Sequence, residues 1–241
     1  MKIVSWNCRY GLNEEKANII LELYPDTDIF VIQECKKSDI DIFRDNWKFK
    51  NWYGDDQDIK SNLGIAIFSK SYEVEFTEVF NRKYRYVVPY KVILNKETEK
   101  SFIIFAVWTK SEKGGNYKYD ENVTKAINSP EYKELLKGDV IIIGDFNTGY
   151  REEYRKRYSD LCKNLKGFKN CTLGKPKELN ETFYSYRERK LFLNDFCFVS
   201  ENLYSNLKST EIHDAWEENS YGHKSWQGLS DHCPISVEFD L

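Results

Sequence analysis

The sequence predicts an α/β (α+β) protein in which mixed β-sheets pack face to face with helices outside. Three observations point there. β-branched apolar runs stop abruptly at polar groups, helical periodicities lie beside two of those runs, and a long middle section reads as closely spaced strands with short turns. Residues 3–7 form the first strand. A helix follows: Asn13 can cap its start, Ala17, Ile20, Leu21 and Tyr24 recur at i, i+3, i+4 and i+7, and Pro25 ends it. Residues 28–34 form the next strand, which completes a strand-helix-strand unit. Strands over 64–68, 72–80, 86–94 and 101–108 make an antiparallel meander. Ser129-Pro130 opens a helix in the N-cap and N1 places, with Tyr132, Leu135 and Leu136 inward and Gly138 at its end. Val140-Ile141-Ile142-Ile143 is stiff at χ1 and suits a strand covered on both faces. Tyr154, Tyr158, Leu161 and Leu165 then recur at helical spacing up to Gly167, and the last strands are 191–199 and 234–241. No repeat and no Pro/Gly/Ser linker offers a cut, so residues 1–241 read as a single domain.

Composition narrows the class. With 241 residues, 41% of them hydrophobic and 31% charged, the chain can bury one substantial core. No stretch is apolar enough to span a bilayer and the opening residues lack a signal-peptide core, so a soluble, cytoplasmic monomer is expected. A net charge of -3 and a pI near 5.8 argue against a wholesale electrostatic grip on nucleic acid, although a local basic patch is compatible with them. The six cysteines show no C-x-x-C spacing and read as reduced core thiols rather than a zinc or redox site. Most of the 17 Tyr and 6 Trp belong in the core, and some can form a stacking surface.

Polar groups gather where apolar runs end: at Asn7, at Glu34, at Asp145-Phe146-Asn147 and at Ser230-Asp231-His232. In extended chain Asp145 and Asn147 point to one side and Phe146 to the other, which aims a carboxylate and an amide at one spot. The competing reading is a strand ending in a turn. Glu34 and Asp231 supply hard anionic oxygens, and Asn7 and Asn147 neutral ones, a set that suits Mg²⁺ or Mn²⁺. Cys8, Cys35 and Cys233 each follow such a residue and should turn to the core behind it. His232 is one of three histidines and a candidate base, and Asp195, a carboxylate at a costly place in an apolar run, is its candidate orienting partner. Asp195 reads alternatively as a strand start that caps a turn.

Taken in order, these segments resemble the endonuclease/exonuclease/phosphatase family. Trp6-Asn7 is similar to its opening motif, Gln33-Glu34 to its metal-binding motif and Gly144-Asp145-Phe146-Asn147 to its central one. Thr182-Phe183-Tyr184-Ser185-Tyr186, Asn194-Asp195-Phe196-Cys197-Phe198 and Ser230-Asp231-His232-Cys233-Pro234 are similar to the later segments. The resemblance implies a four-layer sandwich, two mixed β-sheets packed face to face and flanked by helices, and Mg²⁺-dependent cleavage of a phosphate ester, with Mn²⁺ as a substitute ion. It implies Glu34 as principal metal ligand with Asn7 and Asp231 close by. Asn147 would hold a phosphate oxygen, His232 and Asp195 would form an acid/base pair, and either Asp145 or His232 would take the proton from water.

The sequence departs from the family where many members carry a histidine or tyrosine just after the strand at 102–107. That place reads Trp108-Thr109-Lys110. Lys110 is the favoured replacement as a cation toward the phosphate, with Tyr117 or Tyr119 as hydroxyl alternatives. Residues 151–169 carry seven basic side chains against three acidic ones, so Arg151 and its neighbours either guide a polyanionic substrate or form a solvated helix face. The leading expectation is a nuclease acting on a phosphodiester. A phosphatase or phospholipase acting on a small or lipid-linked phosphate is the second, and a catalytically silent binding protein that keeps the fold is the third.

Overall fold

Alternate residues of the isoleucine run divide the interior. Ile141 and Ile143 join one core while Val140 and Ile142 join another, as the two-residue period of a strand requires. The computed structural model describes residues 1–43, 46–54, 62–110, 119–148, 155–172 and 181–241. Its first strands are β1 (Lys2–Asn7), β2 (Ile29–Lys36), β3 (Phe49–Gly54) and β4 (Leu63–Ser69), with helix α1 (Glu14–Leu23) between β1 and β2. Then come β5 (Glu73–Phe76), β6 (Val87–Asn95), β7 (Lys100–Trp108) and β8 (Val140–Asp145), with α2 (Tyr119–Ile127) and α3 (Pro130–Lys133) between β7 and β8. Helix α4 (Arg155–Asn164) precedes β9 (Phe168–Asn170), β10 (Phe183–Ser185), β11 (Lys190–Phe192) and β12 (Asp195–Ser200). Last are α5 (Glu201–Tyr204), β13 (Leu207–Ile212), β14 (Trp216–Glu218), β15 (Lys224–Trp226) and β16 (Ile235–Phe239).

Two six-stranded sheets result, ordered β13-β16-β1-β2-β4-β3 and β5-β6-β7-β8-β12-β9. Each is mixed, with one parallel pair, β1 with β2 and β7 with β8, among antiparallel neighbours. Both parallel pairs are joined through helices, the crossover such pairing demands. The inner faces of the sheets share one core that holds Ile3, Val31, Ile104, Ile143 and Val237. The outer face of the first sheet buries Val4, Phe30 and Ile32 against Ala17 and Ile20 of α1, whose start Asn13 caps through Lys16 N–H at 2.9 Å. The outer face of the second buries Phe105 and Ile142 against Val123 and Ala126 of α2 and Leu161 of α4. The expected layers are therefore present.

Several elements differ from expectation. The strand over 64–68 is β4, which pairs with β2 and β3 in the first sheet, so the expected four-stranded meander reduces to β5-β6-β7 in the second. The strand over 72–80 shortens to β5 because its next partner on β6 is Pro89, which accepts from Thr77 N–H but has no amide to return. The strand over 191–199 is two strands, broken where the Thr182 hydroxyl accepts the N–H groups of both Asn194 and Asp195 at 3.0 Å. The helix opened by Ser129 closes after Lys133, and Leu135–Lys137 form a 3-10 turn.

Candidate active site

The parallel pairs bring the carboxyl ends of β1, β2, β7 and β8 to one end of the sandwich, and β12 begins there because it runs antiparallel to β8. Asn7 and Glu34 come from the first sheet, Asp145 and Asp195 from the second, and Asp231 and His232 from the loop entering β16. Asn7 joins the sheets: its buried amide nitrogen donates to Glu34 Oε1 at 3.2 Å and to Asp145 Oδ2 at 3.0 Å. Glu34 is the extra residue of a β-bulge opposite Gly64 and Ile65, with φ +57°. Gly144 has φ +142°, and a Cβ there would meet the Val107 carbonyl oxygen at 2.0 Å, so only glycine lets β7 and β8 approach closely enough to deliver Asp145.

Asp145 is both turn and site. Its Oδ1 accepts from Asn147 N–H at 2.9 Å, the side-chain-to-backbone turn typical of Asp, while Oδ2 accepts from the Asn147 amide at 2.7 Å. Asn147 sits at φ +47°, and Phe146 faces the opposite way into the helix-side core. His232 is buried, and its Nδ1 lies 2.9 Å from Asp195 Oδ2 and its Nε2 3.8 Å from Asp145 Oδ2. The ring packs on Phe183 at 4.6 Å between centroids, and the His232 carbonyl accepts from the Trp6 indole at 3.0 Å. Burial opposes charge on His232, but the carboxylates of Asp195 and Asp145 outweigh it and raise its pKa to about 10. Burial raises Asp145 to about 7 against the opposing pull of His232. The site thus holds a cationic imidazole beside a carboxyl that titrates near neutrality.

No protein-family model matches the sequence, and no curated protein does. Solved structures match over nearly the whole chain. An endonuclease/exonuclease/phosphatase family protein from Bacteroides thetaiotaomicron covers 100% of this chain and 98% of its own, at 19% identity and TM-score 0.66. This chain has the endonuclease/exonuclease/phosphatase fold. The endonuclease domain of TRAS1, a telomere-specific non-LTR retrotransposon, shares that fold at TM-score 0.69 and 15% identity, covering 100% of this chain and 98% of its own. So does NExo from Neisseria, described as a 3'-5' exonuclease in one structure and as a 3' phosphatase bound to product DNA hairpin in another. Those two have TM-scores of 0.60 and 0.61 and identities of 21% and 20%, and each covers 100% of this chain and 100% of its own.

On this endonuclease/exonuclease/phosphatase fold the expected residues Asn7, Glu34, Asp145, Asn147, Asp195 and His232 come together. Asp231 joins them through Arg9, whose Nε lies 3.6 Å from its Oδ2. Lys110 lies at the margin, its ammonium 3.8 Å from the centroid of the Trp108 ring. Arg151 and Tyr117 lie outside the described residues, and Tyr119 opens α2. Cys8, Cys35 and Cys233 pack in the core behind the site, as expected. Glu34 and Asp231 offer the hard, partly exposed oxygens that a divalent cation takes. Asn7 Oδ1 accepts from Arg9 N–H at 3.0 Å and keeps a second lone pair, so this donor set fits Mg²⁺ or Mn²⁺. Ligand atoms of Asp145, Asp195 and His232 also lie within 4.8 Å of one another. That group is buried and the imidazole hydrogen-bonds Asp195, an arrangement that serves proton chemistry better than a hard cation.

Two residues within the expected segments, Thr109 and Ser230, have supporting roles that the sequence did not assign. At the place left open by the family departure, the buried Thr109 donates its hydroxyl to the Phe146 carbonyl at 2.6 Å and its amide to the Asp145 carbonyl at 3.0 Å. Its own carbonyl accepts from the Asn147 amide at 3.0 Å. Thr109 therefore fixes the turn that presents Asp145 and Asn147. Ser230 does the same for the last motif, donating to the Asn7 carbonyl at 2.8 Å and accepting from His232 N–H at 3.1 Å. A polar residue inside a buried run was the signal available for Thr109.

Proposed function

We propose that this protein is a phosphoesterase that uses Mg²⁺ or Mn²⁺ to hydrolyse phosphodiester bonds of nucleic acid. The observation that carries the reading is the His232–Asp195 pair at 2.9 Å facing Asp145, with Asn7 linking Asp145 to Glu34. A binding module has no use for a buried imidazole between two carboxylates. Glu34, Asp231 and Asn7 would hold the ion, and bound there it would polarise a phosphoryl oxygen and stabilise the leaving oxyanion.

The chain's own residues supply the rest. Asp195 accepts from Nδ1 and fixes the imidazole, so that Nε2–H is presented to a phosphate oxygen as charge builds on it. Asp145, held by three N–H donors from Asn7 and Asn147, takes the proton of the attacking water. Lys110 binds a phosphate oxygen and Arg151 adds positive charge for the substrate. Asn147, expected to hold a phosphate oxygen, instead gives both amide hydrogens to the Thr109 carbonyl and Asp145 Oδ2 and so holds the Asp145 carboxylate in place. The exonuclease and endonuclease descriptions of the similar structures support nucleic acid as substrate. A second reading, removal of a terminal phosphate, is favoured by the 3' phosphatase description of the Neisseria protein.

The test is an assay panel in Mg²⁺ with single- and double-stranded DNA, RNA, 3'-phosphorylated DNA, inositol phosphates and sphingomyelin, beside His232→Ala and Glu34→Ala. Cleavage of a nucleic acid strand that both substitutions abolish is the expected result. Turnover indifferent to both would overturn the site, and release of terminal phosphate alone would select the second reading.

A further inference from the structure

Three consecutive residues after β1 have positive φ: Arg9 (+50°), Tyr10 (+60°) and Gly11 (+108°). Glycine adopts that region freely, whereas for Arg and Tyr it is strained and persists only where the surroundings impose it. Lys16 imposes it. Its buried ammonium donates to the carbonyls of Cys8, of Arg9 at 2.6 Å and of Gly11 at 3.0 Å, and Asp39 takes Leu12 N–H at 2.8 Å. The loop so held places Tyr10 N–H 3.0 Å from Glu34 Oε2 and leaves Tyr10 69% exposed, outside all three cores. The Arg9 guanidinium lies 5.4 Å from that ring and is itself anchored by the Tyr186 hydroxyl at 2.7 Å and by Asp231. An aromatic face backed by a cation is thus fixed beside the carboxylate that would hold the metal.

From this geometry we infer that Tyr10 is a stacking platform for an unpaired nucleobase of the substrate, on the nucleotide next to the phosphate bound at Glu34 and His232. The inference rests on the phosphoesterase reading above and names its substrate class. Every base has a face that stacks on tyrosine, so such a platform recognises nucleic acid without reading sequence. Inside a duplex both faces are covered by neighbouring bases, so the base must come from a single strand, an end or a flipped position. The open groove of about 840 Å³ that continues from Tyr10 carries Arg9, Lys16 and Lys36 against Glu14, Asp39 and Asp41. That balance of charge suits bases better than a phosphate backbone.

The test separates stacking from catalysis. Binding of fluorescent oligothymidylate and of a base-free tetrahydrofuran strand of equal length is measured by anisotropy in EDTA at low salt, and cleavage is followed separately in Mg²⁺. The wild type is expected to bind the base-bearing strand more tightly. Tyr10→Ala should weaken that strand about tenfold, with the loss confined to it, and Tyr10→Trp should restore it. Equal affinity of the wild type for both strands, or equal weakening of both by Tyr10→Ala, overturns the platform. Cleavage without discrimination rejects the platform and keeps the phosphoesterase, whereas discrimination without cleavage rejects the phosphoesterase and keeps the platform.

Discussion

Asp195 and Asp145 are register partners across β12 and β8, yet they serve His232 unequally, at 2.9 Å and 3.8 Å. The nearer carboxylate hydrogen-bonds Nδ1 and orients the imidazole, and the farther one lies on its Nε2 side. The pairing itself places them, because a strand entering antiparallel to β8 begins where β8 ends.

Asp195→Asn should therefore lower kcat by about 10² to 10⁴ while leaving KM and the Mg²⁺ concentration for half-activation nearly unchanged. His232→Ala should do the same, and the double variant should be little worse than either single one, because the pair acts as a unit. Steady-state kinetics on the three proteins check this, and additive losses would separate the two roles.

Stability should depend on pH with a definite sign. His232 is raised from 6.5 to about 10, so its contribution is complete below about pH 6.5 and is lost as pH rises through 10. Asp145 is raised from 3.8 to about 7, so its contribution is complete below about pH 3.8 and is lost as pH rises through 7. Each loss proceeds at up to about 1.4 kcal/mol per pH unit. Urea unfolding in EDTA should show the wild type's advantage over Asp195→Asn shrinking between pH 6.5 and 10. A constant difference would contradict the assignment of His232 as cationic in the fold.

Gly144→Ala should cost more than about 3 kcal/mol or prevent folding, because its Cβ would lie 2.0 Å from backbone that cannot move without opening the β7–β8 pair. Gly167→Ala is the control. At φ +101° and with nothing within 4 Å, it should cost only backbone strain, about 1–2 kcal/mol. Thermal unfolding of the two variants distinguishes a steric requirement from a conformational one.

Glu34→Gln keeps an acceptor for Tyr10 N–H but halves the anionic set, so Mn²⁺ affinity measured by electron paramagnetic resonance should fall about 10- to 100-fold. Unchanged affinity would remove Glu34 from the metal site.

Thr109→Val removes one of the two hydroxyls that donate to the buried Phe146 carbonyl and leaves it to Thr148 alone, at 2.8 Å. We expect stability to drop by about 1 kcal/mol and kcat to fall with Mn²⁺ affinity unchanged. Rescue by Thr109→Ser separates the hydroxyl's role from packing.

The legible parts of the chain were those where burial leaves a mark on composition. β8 was readable because both its faces are covered, and α1 because its cap and its apolar stripe agree. β3 was missed because it lies at a sheet edge and is half-exposed along most of its length, so no alternation survives. The hairpin β14–β15 has three-residue strands, too short for a period to show. In the last motif, Ser230-Asp231-His232 proved to be a loop held by hydrogen bonds rather than the tip of a strand. At Trp108-Thr109-Lys110 the sequence drew attention to the cation, whereas it is Thr109 whose hydrogen bonds hold the Asp145–Asn147 turn.

By itself the sequence determined the layers and the identity of the polar groups, because a two-residue apolar period and an abrupt polar stop are properties of consecutive residues. Only the tertiary structure decided which groups meet. Asn7 reaches Glu34 and Asp145 because two sheets pack with their strand ends together, His232 meets Asp195 across 37 residues, and Lys16 strains Arg9 and Tyr10 beside Glu34. These are relations between distant segments, fixed by how the layers close, and no local pattern records them.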